Sequence, residues 1–211
     1  MPEFVGHSLD GTVTIGSDDM KKAFLIAVHV AFAILLGGCA WVPQSATLKV
    51  STNIAASDAG RGETVAVRVI DSRPSNKIGH RGVDSENAVI TTKGSVEPVF
   101  QEAVMQGLAR KGFTPVRYDG QSVRLLTVEV RRIDYTTDME YWKGIVRTEA
   151  TLHAAMVKDG LKFEQIYTGK RMETTMEAPR ASTNERLING AISDAVQRMF
   201  EDEALIRYLA E

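Results

Sequence analysis

The chain has 211 residues with 25 basic and 27 acidic side chains, which gives a formal net charge of −2. Because there is no excess of positive charge, the composition does not favour a nucleic-acid partner. The single cysteine, Cys39, excludes a disulfide bond within the chain.

The segment that leads to Cys39 predicts an exported, lipid-anchored protein. Two lysines precede a largely apolar run from Ala23 to Leu36, and Gly37 and Gly38 connect this run to Cys39. A basic region, an apolar region and small residues in that order form a secretory signal. The run has 14 residues, whereas a membrane-spanning helix needs roughly 20. The last residues resemble a bacterial lipobox, which implies cleavage between Gly38 and Cys39, a thioether-linked lipid on Cys39 and acylation of the new amino terminus.

The predicted anchor assigns the protein to the bacterial cell envelope. Two or more acyl chains hold a protein stably on a membrane. The residue after Cys39 is Ala40. In the Gram-negative lipoproteins that this sequence resembles, aspartate at that position commonly retains the protein in the inner membrane. The resemblance therefore implies an outer-membrane protein that faces the periplasm and contacts the membrane through the lipid on Cys39.

The chain divides into four predicted segments. Residues 1–19 carry two aspartates where a signal needs positive charge, so we expect a translation start at Met20, or a disordered, non-native extension. A genuine extended signal is the alternative. Residues 20–38 form the signal peptide, and residues 39–62 form the lipidated amino terminus and a tether. Residues 63–211 form a single α+β periplasmic domain.

The first half of the domain is predicted to be built around one long strand. Glu63 to Asp71 alternates valine with other residues and is typical of a strand. Ser72 to Asn87 is interpreted as a long loop, and Ala88 to Thr92 as a short strand. Within the preceding tether, Leu48 and Val50 alternate and could pair at a sheet edge.

Two helices carry end signals. The first is predicted over Ser95 to Lys111, with Ser95 as its amino-terminal cap and Gly112 in a left-handed conformation after its end. The second, near the carboxyl terminus, begins with the spacing of a capping box, in which Ser182 is the cap and Glu185 reaches back to it.

Several strands are predicted between the helices. Their bounds are Phe113 to Tyr118, Val123 to Tyr135, Lys143 to Val157 and Leu161 to Thr174, with a hairpin turn at Asp159-Gly160. A change of hydrophobic phase predicts a β-bulge near Arg131-Arg132. The third of these strands points its small and apolar residues inward: Ala150, Leu152, Ala154 and Met156. The pattern indicates an α+β fold, a mostly antiparallel sheet of about four to six strands with two helices packed on one face.

Short sequence motifs along the domain resemble one family of bacterial lipoproteins. These motifs are Asp71-Ser72-Arg73, Ile78-Gly79, Leu108 to Phe113, Ile188 to Ile192 and Leu205 to Leu209. Together they resemble the YajG-type lipoproteins, over essentially the whole chain from Met20 onward. The resemblance implies an envelope lipoprotein without an assigned reaction.

No catalytic or metal-binding motif stands out. The predicted mature chain holds two histidines, His80 and His153, and its only cysteine is assigned to the lipid. The sequence contains no H-E-x-x-H, G-x-S-x-G, P-loop or Rossmann glycine pattern. Spacing alone does not exclude a Ser-His-Asp triad. We therefore expect no enzymatic activity, no cofactor and no metal site.

One basic cluster is a candidate binding site. Arg73, Lys77, His80 and Arg81 lie within nine residues of the predicted loop and could hold a phosphate or a carboxylate-bearing glycan. The alternative, which we favour, is a solvated loop. For Asp71 we favour a structural role, as acceptor of loop N–H groups in an Asx turn.

A second candidate is Trp142, beside Tyr141 in a predicted turn between strands. An exposed tryptophan at this position could anchor a partner protein. The alternative, that its ring covers the sheet core, is favoured by the usual burial of aromatic side chains.

The functional hypothesis is a non-catalytic envelope lipoprotein that binds another, unidentified envelope protein in an assembly or scaffolding role. The alternative is a module that binds an anionic fragment of the cell wall or of lipopolysaccharide through the basic cluster. A hydrolase is a more distant alternative.

Overall fold

The computed structural model describes residues 42–82, 87–121, 124–158 and 160–211. The predicted signal peptide, the predicted cleavage site at Gly38 and the predicted lipid attachment residue Cys39 lie outside these ranges, as does Asp159 of the predicted hairpin turn. No helix within the described ranges combines the length and hydrophobicity needed to cross a bilayer.

The described residues form eight strands and three helices. The strands are β1 (Gln44–Ala46), β2 (Thr64–Asp71), β3 (Lys77–His80), β4 (Val89–Thr92), β5 (Thr114–Arg117), β6 (Leu125–Glu140), β7 (Lys143–Lys158) and β8 (Leu161–Thr175). The helices are α1 (Glu97–Arg110), α2 (Ala181–Glu201) and α3 (Glu203–Ala210).

All eight strands join one mixed sheet. The three long strands β6, β7 and β8 form an antiparallel meander. Along its other edge, the first half of β6 pairs in parallel with β2, which pairs in parallel with β5. The second half of β6 meets β3 in parallel at Tyr135 and Gly79, and β3 leads to β4 and then β1.

The α+β class is confirmed, but the predicted sheet is wrong in size and in strand direction. Eight strands replace the expected four to six, and four of the seven pairings among the described strands are parallel. Strands β2 and β5 can pair in parallel because the connection between them, which contains β3, β4 and α1, is long enough for a crossover. Strand β3 lies inside the segment predicted as a loop, Ser72 to Asn87.

The two longer helices pack on one face of the sheet and meet each other. Helix α1 lies over β2 and β5, while α2 lies over β7 and β8. At their contact, a Cβ atom built on Gly107 would come within 2.2 Å of the Phe200 ring. A single hydrophobic core fills the space between helices and sheet. The described residues include a third helix, α3, where two were predicted.

The long strands follow their predicted patterns. The inward residues of β7 are fully buried: Ala150, Leu152, Ala154 and Met156. The predicted bulge in β6 is confirmed, since the register with β7 shifts between Val130 and Arg132. Gly112 has a φ of +83°, as predicted for the residue after α1.

Both predicted helix caps are wrong. Helix α1 begins at Glu97 without a side-chain cap, and the Ser95 hydroxyl donates to the Glu97 carboxylate instead. Helix α2 begins at Ala181, also without a side-chain cap. The Glu185 carboxylate accepts a hydrogen bond from the backbone N–H of Thr47, 138 residues earlier. The Glu185 carboxylate, which the capping box would need as an acceptor, is therefore bound to Thr47 in a distant part of the chain.

Candidate functional site

Arg73 in the basic cluster is occupied by an internal ion pair. Its Nε and Nη2 atoms donate to the two carboxylate oxygens of Asp71, each at 2.8 Å, and its side chain is only 4% exposed. The backbone N–H of Arg73 also donates to Asp71 Oδ1 at 3.2 Å, which is the predicted Asx turn. Hydrogen bonding by Arg73 lowers the pKa of the Asp71 carboxyl group despite its partial burial.

Arg81 binds backbone oxygens. Its Nη2 donates to the carbonyl oxygen of Pro179 at 3.1 Å, and its Nη1 lies 3.5 Å from the carbonyl oxygen of Val42. Lys77 and His80 lie on β3 rather than in a loop, Lys77 exposed and His80 partly buried. The two arginines therefore serve the fold, and anion binding by the cluster stays a prediction.

Trp142 lies in the turn between β6 and β7 and is exposed, so the interpretation that it covers the sheet core is wrong. Trp142 is 62% exposed, and Tyr141, which has a φ of +57°, is 93% exposed. Met139 is also exposed. Lys143 Nζ lies 5.0 Å from the centroid of the Trp142 ring, within the range of a cation–π contact. We call Met139, Tyr141 and Trp142 the aromatic tip.

The segment that precedes β2 is docked along α2, which sequence reasoning missed. The strand predicted at Leu48 and Val50 is replaced by β1, and Leu48 instead packs into the core. Beyond β1, the backbone N–H groups of alternate residues donate to side-chain oxygens of α2. The four bonds are Thr47 to Glu185 (2.7 Å), Lys49 to Asn189 (3.0 Å), Ser51 to Ser193 (2.9 Å) and Asn53 to Gln197 (2.9 Å).

This ladder depends on a match between two periodicities. Two residues of extended chain advance about 6.6 Å, and four residues of α-helix advance about 6 Å, so every second N–H meets every fourth helical side chain. Two of the helix side chains also donate back: Asn189 Nδ2 to the carbonyl oxygen of Thr47 at 3.1 Å and Gln197 Nε2 to that of Asn53 at 3.3 Å. The sequence does contain the signal, a stripe of four polar residues at a strict spacing of four beside the apolar face of α2.

A buried asparagine links the start of this docked segment to the sheet. Asn184, which is fully buried, accepts a hydrogen bond from the Tyr135 hydroxyl at 2.7 Å and donates to Gln44 Oε1 at 2.9 Å. Burial raises the pKa of the Tyr135 hydroxyl. Tyr135 of β6 and Gln44 of β1 are therefore held at the same level, on either side of Asn184.

The face of the sheet away from the helices carries paired charges. Glu149 lies between Arg132 and Lys170, and His153 lies between Glu129, 3.1 Å from its Nδ1, and Glu164, 3.4 Å from its Nε2. These pairs join β6, β7 and β8. No group of three or more His, Cys, Asp or Glu residues within the described ranges is arranged to hold a metal ion.

Strand β8 forms a long free edge. Among the described strands it pairs only with β7, over its full length from Leu161 to Thr175. Three large apolar side chains on it are exposed, Leu161 (68%), Ile166 (54%) and Met172 (67%). A strand edge of this kind presents unpaired backbone N–H and C=O groups that another strand can bind.

The chain matches a known family over most of its length. The model of the Lipoprotein_16 family, described as uncharacterized lipoprotein, matches residues 50–210, so the chain belongs to this lipoprotein family. Membership confirms the resemblance to YajG-type lipoproteins and associates the protein with the cell envelope. No catalytic activity attaches to the family description. No curated protein sequence matches the chain.

Solved structures with little sequence identity to the chain share its fold. XCC0632 from Xanthomonas campestris, of the DUF330 family, aligns with a TM-score of 0.56 at 15% identity, covering 79% of this chain and 96% of its own. A Helicobacter pylori protein, named for homology to a neuraminyllactose-binding hemagglutinin, aligns with a TM-score of 0.51 at 11% identity, covering 78% and 96%. At these identities the likeness extends to the fold alone.

Proposed function

We propose that the protein is a non-catalytic lipoprotein, held by lipid on Cys39 at the periplasmic face of the outer membrane, that binds a partner protein by strand addition to β8. The observation that carries the protein-binding role is the free edge of β8. Family membership and the Leu-Gly-Gly-Cys sequence that ends at Cys39 support the anchor.

Strand addition fits the chemistry of this edge. An incoming strand gains main-chain hydrogen bonds along β8, and alternate side chains provide specificity. Ile166 and Met172 lie on the same outward face of the strand and offer apolar contacts, while Lys162, Glu164 and Lys170 supply a polar surround. The alternative, binding of an anionic ligand at the basic cluster, has less support because Arg73 and Arg81 already bind Asp71 and backbone oxygens.

In-cell photo-crosslinking tests the edge. We would place a photo-reactive residue at Ile166 or Met172, and at Val157 as the matched control. Val157 is also apolar, half exposed and on the outward face, but it lies on β7, whose two edges are both paired. We expect one defined envelope protein to be captured from Ile166 and Met172, and its capture to be lost in the additional variant Thr168→Pro.

Three results would contradict strand addition by a protein partner. Equal capture from Val157 would mean that the contact is not specific to the edge. Adducts with glycan alone would favour the anionic ligand, and adducts with the mass of two copies would indicate self-association instead.

A separate experiment tests the anchor. We expect mass spectrometry of the membrane-purified protein to find three acyl chains on an amino-terminal Cys39, and Cys39→Ser to abolish lipid attachment. We also expect Ala40→Asp to move the protein from the outer-membrane to the inner-membrane fraction. An unmodified Cys39, or a wild-type chain in the inner membrane, would overturn this part of the proposal.

A further inference from the structure

We infer that the aromatic tip is a second membrane contact, in which Tyr141 and Trp142 enter the interface of the bilayer that carries the lipid anchor. The inference rests on the proposed anchor at Cys39. It assigns to Trp142 a lipid surface as its partner rather than a protein.

The direction of the strands puts the aromatic tip and the amino-terminal end of β1 at the same end of the domain. Strand β1 is parallel to β4, β4 is antiparallel to β3, and β3 is parallel to β6. Strand β1 is therefore antiparallel to β6. The amino-terminal end of β1 therefore points the same way as the carboxyl-terminal end of β6, which leads to Tyr141.

The two paths also have similar lengths. They start from a common level, because Gln44 and Tyr135 both bind Asn184. Gln44 lies five positions after Cys39, and Tyr141 lies six positions after Tyr135. At about 3.3 Å per residue, the chain before Gln44 reaches at most about 17 Å and the hairpin about 20 Å beyond that level. An anchor inserted in the bilayer therefore brings the tip to the membrane surface.

The docked segment prevents the domain from standing away from the membrane. Its ladder to α2 fixes the chain from Thr47 to Asn53, and Arg81 binds the carbonyl oxygen of Val42. Only three peptide units join Val42 to Cys39, which span at most about 11 Å. A flexible tether of residues 39–62 would have left the orientation free, whereas this attachment restricts the membrane-facing surface to one end.

The composition of that end suits a bilayer interface. Tryptophan and tyrosine are enriched where membranes meet water, because their rings combine an apolar body with a polar group. Met176 lies at the same end, one residue after Thr175, which pairs with Gly144, and it is exposed like Met139. Lys143, above the Trp142 ring, can bind a lipid phosphate.

Depth-dependent quenching tests the contact. The lipidated chain would carry Trp41→Phe, which leaves Trp142 as its only tryptophan, and would be placed in vesicles of phosphatidylethanolamine and phosphatidylglycerol with brominated acyl chains. The matched control carries Trp41→Phe, Trp142→Phe and Leu161→Trp, because Leu161 is equally exposed but lies at the other end of β8, roughly 45 Å away. We expect a blue-shifted emission and strong loss of fluorescence for Trp142 and neither change for the control.

The outcomes separate this inference from the proposed function. Vesicle flotation of the lipidated chain and of Cys39→Ser reports on the anchor alone. If the lipidated chain floats and Trp142 is quenched no more than the control, the tip does not contact the bilayer, while the anchor stands. If the lipidated chain does not float, both the anchor and the inference that rests on it are wrong.

Discussion

Gly169 in β8 lies directly under the carbonyl oxygen of Ala191 in α2. A Cβ atom built on Gly169 would come within 2.0 Å of that oxygen and 2.5 Å of the Ala195 nitrogen. Both are backbone atoms of a helix and cannot rotate away. Glycine at this position therefore sets how closely α2 approaches the sheet.

We predict that Gly169→Ala lowers the free energy of unfolding by about 3 kcal/mol, because α2 must lift from β8. Gly144→Ala is the matched control, since its Cβ would lie 3.2 Å from a methyl group of Thr175, and its cost should stay below about 1 kcal/mol. Urea unfolding of both variants measures the difference. If both variants lost the same stability, the close approach of α2 to Gly169 would not be the cause of the loss.

The hydroxyl of Tyr167 donates to Asp202 Oδ2 at 2.6 Å, and Asp202 Oδ1 caps α3 through the N–H of Ala204. Since a hydrogen bond to a charged group contributes roughly 1.5–3 kcal/mol, we predict that Tyr167→Phe lowers stability at pH 7 by about 1.5 kcal/mol. Tyr141→Phe, which removes an exposed hydroxyl, is the control and should have no effect in the same unfolding experiment.

The same tyrosine predicts a loss of stability at high pH. Burial, and then the bond to Asp202, raise the pKa of Tyr167 well above its ordinary value. The folded chain therefore keeps a proton that the unfolded chain releases above about pH 10, so this group reduces stability as the pH rises past 10. We expect Tyr167→Phe to decline less steeply than wild type between about pH 9.5 and 11. If the stabilities of wild type and Tyr167→Phe fell in parallel over this pH range, the loss could not be assigned to Tyr167.

The ion pair of Asp71 and Arg73 should give the opposite dependence of folding stability on pH. Arg73 lowers the pKa of Asp71, so the stability from this pair is present above the ordinary carboxyl pKa and is lost as the pH falls below about 4. Asp71→Asn removes the anion beside a guanidinium that is 4% exposed. We expect it to cost about 2 kcal/mol at pH 7, less than for a fully buried pair because Asp71 is partly exposed.

The double variant Asp71→Asn, Arg73→Met is the control for this pair. It removes the buried charge as well, so it should be more stable than Asp71→Asn alone. Urea unfolding of the three proteins at pH 7 and at pH 4 measures both effects. A double variant less stable than the single one would show that Arg73 contributes through other contacts.

The hydrogen bonds of Asn189 should protect the docked segment from hydrogen exchange. Asn189→Ala removes the acceptor of the Lys49 N–H and the donor to the Thr47 carbonyl. Each hydrogen bond contributes about 1 kcal/mol, so we expect the Lys49 amide to exchange about fivefold faster or more. Asn189→Asp, which keeps the acceptor, should retain most of the protection. Hydrogen exchange measured by NMR would contradict the ladder if Asn189→Ala left the exchange of the Lys49 amide unchanged.

The sequence predicts the long elements of this fold better than its short ones. Alternation over β7 identifies its inward residues, and the phase change near Arg131 identifies the bulge, because each pattern covers several residues. Strands β1 and β3, which the sequence analysis missed, have three and four residues, too few to show a period. Their pairing, and with it the parallel character of the sheet, depends on contacts between distant parts of the chain.

In the candidate site too, the sequence predicts local contacts but not contacts between distant residues. The Asx turn of Asp71 is local and visible in the sequence. Arg81 is bound to Pro179, 98 residues away, and Glu185 to Thr47, 138 residues away, so local patterns misassign both residues. The exposure of Trp142 follows from the length of the β6–β7 hairpin, which extends one residue pair past the last pair of β7 and β8 at Gly144 and Thr175.

The ladder between the docked segment and α2 has a mechanical consequence. The segment runs from Thr47 to Asn53 in the same direction as the helix, so a pull on its amino-terminal end along the chain loads the bonds in shear. All four N–H donors then share the force at once, whereas a sideways pull would break them one after another. The attachment is therefore strongest against tension along its own axis, which suits a segment that follows the proposed lipid anchor on Cys39 in the chain.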